Sequence, residues 1–171
     1  MKTSDLLIFK ARWACRLACA CLMAGAGMLA GCQTLHGLTR AQIKVLEEQG
    51  FSETDEGWTL DQSNAVLFAF DDTKLGAEGL RNITRLSKVL QSAQILHLKV
   101  VGYTDSLGDE KYNEALSKRR ADAVVAAFVG SGFPRAGLDP IGMGERFPIG
   151  DNSKPEGRAR NRHVMIIVVA Q

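Results

Sequence analysis

The sequence predicts an α/β fold (an α+β sandwich): a mixed sheet of order β-α-β-α-β-β with helices on one face, preceded by an N-terminal helix. Three observations predict it. Two stretches with helical spacing, 77–91 and 109–130, alternate with apolar or alternating runs at 65–70, 95–103 and 138–143. Strand–helix–strand crossovers of this kind imply parallel strands with their helices packed on the sheet. A final run, 163–169, is almost continuously apolar and reads as a buried strand.

Taken in order, residues 39–49 form the N-terminal helix. Thr39 can cap it, with Gln42 three residues on as in a capping box, and Gly50 can end it. Asp55-Glu56-Gly57 is a turn before Trp58-Thr59-Leu60. Residues 65–70 form an apolar strand and Asp71-Asp72-Thr73-Lys74 a polar loop. In helix 77–91, Leu80, Ile83, Leu86, Val89 and Leu90 share one side. Strand 95–103 alternates Ile95, His97 and Lys99 with Leu96, Leu98 and Val100. Residues 104–108 turn the chain into the longest helix, which ends near Gly130 and Gly132. Residues 144–160, with two Pro and three Gly, read as a loop.

Composition narrows the function. The net charge of +2 is too small to argue for nucleic acid, and no nucleic-acid partner is expected. Much of the excess base lies in residues 1–31, where Lys2, Lys10, Arg12 and Arg16 face only Asp5. The four cysteines are Cys15, Cys19, Cys21 and Cys32, so residues 33–171 have neither a disulfide nor a thiol nucleophile to offer. His36, His97 and His163 are scattered, and Gly142-Met143-Gly144 precedes no helix. No metal, cofactor or catalytic set is expected, and the chain is not read as an enzyme. Arg158, Arg160 and Arg162 read as a solvated basic run.

The beginning of the chain reads as an address. Basic residues, a short apolar run over 17–30 and small residues before a cut describe a secretory signal. The ending Leu29-Ala30-Gly31-Cys32 resembles a bacterial lipobox, which implies signal peptide 1–31 and a lipid on Cys32. The plainer alternative is a generic signal with Cys32 incidental. Gln33 after the cysteine resembles the outer-membrane sorting rule of enterobacterial lipoproteins. The remaining organisation is expected to be a lipidated tether at 32–38, a helix and lead-in at 39–60 and one domain at 61–171.

The informative chemistry lies in Gly102–Val124. Asp105 stands where a strand meets a loop, and Arg120 follows on the next helix. Leu116, Arg120, Val124 and Phe128 are spaced by four, so the guanidinium shares a side with three apolar residues. A partly desolvated cation costs several kcal/mol unless an anion compensates it. Asn113 and Ser117 lie on the same side. Two readings follow. Arg120 and Asp105 pair with each other for the fold alone, or they form a split receptor for a zwitterion, with ammonium on Asp105 and carboxylate on Arg120.

This segment resembles the signature of the OmpA C-terminal domain family, T-D-x-x-G-x-x-x-Y-N-x-x-L-S-x-x-R-A-x-x-V. Thr104-Asp105, Gly108, Tyr112-Asn113, Leu116-Ser117, Arg120-Ala121 and Val124 match every position. Phe70-Asp71 and Asp72 resemble the family's F-D-x-D loop, with Asp72 one residue early. Gly142-Met143-Gly144-Glu145 resembles its G-x-G-E turn, and Asn161-Arg162 its N-R-R-V segment with His163 in place of the second Arg. The resemblance implies noncovalent binding of peptidoglycan through the diaminopimelate residue of the stem peptide. Asp105 would take the ammonium and Arg120 the carboxylate, with Thr104, Asn113, Leu116 and Asp71 lining the pocket.

The lead-in is similar to that of YfiB-type lipoproteins at Gly37-Leu38, Gln42-Ile43, Val45-Leu46, Gln49-Gly50-Phe51 and Glu56-Gly57-Trp58. That resemblance implies a partner, a periplasmic inhibitor of a diguanylate cyclase. The alternative is a Pal-type structural anchor between outer membrane and cell wall, with no signalling partner.

Overall fold

The structure is a computed structural model that describes residues 37–63, 67–68 and 73–169. Helix α1 (Arg40–Glu48) begins in the expected capping box: Thr39 Oγ1 accepts from Gln42 N at 3.2 Å, and Gln42 Oε1 accepts from Thr39 N at 3.0 Å. A hairpin of β1 (Ser52–Thr54) and β2 (Gly57–Ser63) follows. Then come α2 (Ala77–Ser92), β3 (Leu98–Gly102), α3 (Glu110–Gly130), β4 (Leu138–Gly142), α4 (Pro155–Asn161) and β5 (His163–Val168).

The strands form one mixed sheet in the order β1-β2-β5-β3-β4. β3 and β4 are parallel, as their crossover through α3 requires, and β5 is antiparallel to both β2 and β3. The last strand in sequence is therefore the middle strand of the sheet. This explains its apolar composition: Val164, Ile166, Ile167 and Val168 are all buried.

Helices α1, α2 and α3 share one face of that sheet. Leu46 of α1, Ile83, Leu86 and Leu90 of α2, and Val124 and Phe128 of α3 join one core with Val100, Val164 and Ile166. Leu38, Phe51 and Trp58 belong to the same core. The opposite face carries a smaller cluster of Val101, Tyr103 and Ile167, flanked by Ile141, Met143 and Met165.

Three elements differ from the sequence expectation, the first being the short strand β1, which adds a fifth strand to the four expected. The first long strand is 57–63, not 65–70. Trp58-Thr59-Leu60-Asp61 alternates apolar and polar residues and so suits a strand with one covered face. β2 pairs with β5 over six residue pairs, from Trp58↔Val168 to Ser63↔His163, and runs across position 60. Within the expected strand, Leu67 and Phe68 are buried, and Phe68 makes an isolated bridge to Leu75; the other four residues lie outside those described. The expected loop 144–160 contains α4. Pro155 opens that helix with its φ preset, Glu156 sits in the first turn, and Arg158 and Arg160 sit in the last, all in accord with the helix dipole.

Candidate functional site

The site forms where β3 and β4 end and β5 begins. Antiparallel pairing of β3 with β5 brings the residues after Gly102 beside those before Val164, and Tyr103 N donates to His163 O at 2.9 Å. Thr104 N donates to Gly144 O at 2.8 Å, joining the ends of β3 and β4. Helix α3 starts next to these loops. Asp109 caps it, its Oδ1 accepting from Lys111 N and Tyr112 N.

Asp105 is only 7% exposed. Its Oδ1 accepts from Leu107 N at 3.1 Å, and its Oδ2 accepts from Arg162 Nη1 at 2.7 Å. Asn113, 1% exposed, donates through Nδ2 to Asp105 O at 3.3 Å and to Glu145 Oε2 at 2.8 Å. One turn on, Ser117 Oγ accepts from Gly144 N at 2.9 Å and donates to Glu114 O at 2.8 Å. Its hydroxyl is thus committed to the backbone and holds α3 against the 142–145 turn.

Arg120 is 7% exposed, and its guanidinium lies over the Phe68 ring, 5.7 Å from the centroid. An aromatic face returns part of the solvation that burial removes from a cation. Val124 and Phe128 continue the same side into the core, as the four-residue spacing predicts, and Leu116 is half-buried one turn before Arg120.

Thr104, Asp105 and Asn113 are therefore buried polar groups where β3 ends and α3 begins, and Arg120 is a buried polar group at the middle of α3. Asp71 and Cys32, expected to line the pocket and to carry lipid, lie outside the described residues. The ion pair of Asp105 is made with Arg162, not with the Arg120 that the fold-only reading required. Sequence reasoning passed over Arg162 as part of a solvated run. The available signal was its place in the N-R-x-V segment opening the last strand. It also passed over Glu145, which the G-x-G-E turn delivers to Asn113, and Phe68, which it placed in a strand.

The stretch from Leu67 to Arg162 matches the model of the OmpA family. The chain belongs to that family. It is 42% identical over 146 residues to the outer-membrane lipoprotein YfiB of Pseudomonas aeruginosa, a match covering 84% of this chain and 87% of that protein. It is 37% identical over 143 residues to the putative lipoprotein YfiB of Escherichia coli, covering 82% of this chain and 89% of that one. Among solved structures, the peptidoglycan-associated lipoprotein of Burkholderia pseudomallei superposes with a TM-score of 0.56 at 26% identity, over 62% of this chain and 88% of that one. The OmpA-like domain expected from the 102–124 signature is thus present. The family match takes in every described site residue, whereas the β1–β2 hairpin precedes it.

Proposed function

We propose that the protein is an outer-membrane lipoprotein, anchored through Cys32 and facing the periplasm, that binds peptidoglycan without cleaving it. Its ligand is the diaminopimelate residue of the stem peptide. Asp105 receives the ammonium, Arg120 the carboxylate, and Thr104, Asn113, Leu116 and Asp71 line the seat. The observation that carries this reading is that Asp105 and Arg120, of opposite charge and each 7% exposed, stand on neighbouring elements while the ion pair of Asp105 goes to a third residue. A zwitterionic head group complements two separated charges of this kind. The names of the relatives, an outer-membrane lipoprotein and a peptidoglycan-associated lipoprotein, support the location and the ligand class.

Membership of a YfiB-type signalling system, in which the lipoprotein sequesters the periplasmic inhibitor of a diguanylate cyclase, is the finer part of the proposal. Its support is the length of the similarity, 146 residues, which reaches well beyond the family-matched 67–162. A Pal-type anchor with no signalling partner is the alternative.

Calorimetric titration of the full chain in detergent micelles with a diaminopimelate-containing stem peptide tests the ligand. Saturable binding should fall at least about tenfold in Asp105→Ala and in Arg120→Ala, because each removes one charge-assisted contact. Binding unchanged in both folded variants would overturn the assignment. Deleting the gene separates the two roles: altered cyclic-di-GMP-dependent biofilm supports signalling, and envelope leakiness alone supports the anchor.

A further inference from the structure

The carboxylate proposed to receive the ligand's ammonium already has a cationic partner. Arg162 Nη1 stands 2.7 Å from Asp105 Oδ2, and Leu107 N occupies Oδ1. The two members of this pair are unequally placed. The Asp105 side chain is 10% exposed, whereas that of Arg162 is 40% exposed. Arg162 is the C-cap residue of α4, and its backbone is fixed from both sides: Arg162 N donates to Arg158 O at 3.1 Å, and β5 begins at the next residue. Its guanidinium can therefore rotate into water with the backbone in place, but Asp105 cannot follow it. Left alone, the Asp105 carboxylate would be a buried charge without a counter-ion, a state that is strongly unfavourable.

We infer that Arg162 is an internal stand-in for the ligand's cation: it neutralises Asp105 in the free protein and is displaced when an ammonium group takes its place. The inference rests on the binding reading above. A carboxylate can accept more than two hydrogen bonds, but two cations crowded on one buried carboxylate repel each other. The exposed member is the one that leaves, because water recovers its solvation. Binding at this seat is then an exchange of counter-ions, and the free protein never holds a bare buried anion.

The test is titration of the full chain in detergent micelles with the diaminopimelate stem peptide, comparing wild type, Arg162→Gln and Arg162→Lys. With the competing cation gone, Arg162→Gln should bind about three- to tenfold more tightly, and its free form should melt at a lower temperature than wild type. Arg162→Lys, which keeps a cation, should stay near wild type. Equal or weaker binding by a folded Arg162→Gln variant, with wild type binding normally, overturns the displacement and leaves the binding reading standing. No binding by wild type overturns both. A variant that does not fold is bypassed by following the Arg162 side-chain NMR signals in the wild-type protein. They should move to the position of a solvated arginine on saturation, and signals that do not move refute the exchange.

Discussion

Gly102 lies directly beneath the backbone carbonyl of Ser117, so close that a Cβ at position 102 would fall far inside van der Waals contact with that oxygen. At Gly142, on the neighbouring parallel strand, a Cβ would stand 2.6 Å from Lys118 N and 2.8 Å from Glu114 O. Helix α3 thus rests on the bare ends of β3 and β4, and this close approach puts Asn113 within reach of both Asp105 and Glu145. Gly102→Ala should push the helix away. The expected cost is about 1–3 kcal/mol, the usual range for overpacking, read as a lower urea midpoint, together with weaker stem-peptide binding. An unchanged midpoint would mean that the helix is not held by this contact.

Asn113→Ala should destabilise the protein by about 1–3 kcal/mol. It removes the donor shared by Asp105 O and Glu145 Oε2 and leaves two acceptors partly desolvated beside the site. Chemical denaturation measures the loss. Leu107→Ala is the control in the same loop region; with Leu107 exposed, it should change stability by no more than about 0.5 kcal/mol.

Trp58→Ala tests whether the hairpin belongs to the cooperative unit. Trp58 is buried in the main core and pairs across to Val168, so its truncation should cost about 3–5 kcal/mol. A loss below about 1 kcal/mol would show that the hairpin opens independently of the rest.

Tyr103→Phe predicts a change at high pH. Burial raises the Tyr103 pKa above 10.0, and the carboxylates of Glu56 and Asp61 add to the effect. The unfolded chain then ionises first. Stability contributed by the neutral phenol is complete below pH 10 and is lost as pH rises from there through the higher folded value. Phenylalanine keeps the stacking on His163, whose ring centroid lies 4.5 Å from that of Tyr103, without a group to ionise. The variant should lose less stability than wild type above pH 10 in denaturant titrations. Parallel losses would remove Tyr103 as the cause.

The helices, the parallel crossover and the buried last strand were legible because each is written in local spacing. Arg120 could be placed beside Asn113 and Ser117 because a helix repeats every 3.6 residues, whatever it packs against. Other features were not legible. β2 carries too few apolar residues to look like an inner strand, and it becomes one because β5 returns beside it. The helix at 155–161 is short enough for its Pro and Gly content to suggest a loop.

By itself, the sequence determined the α/β class, the polar row on α3 and the family signature that contains Asp105 and Arg120. Only the tertiary structure decided the counter-ion of Asp105. Arg162 is 57 residues away along the chain, and its place in the N-R-x-V segment marks the residue without naming the carboxylate it pairs with. The insertion of β5 between β2 and β3 starts that strand beside the end of β3 and so carries Arg162 to the carboxylate. Periodicity is a short-range property of the backbone, whereas charge pairing depends on which distant segments the sheet register brings together.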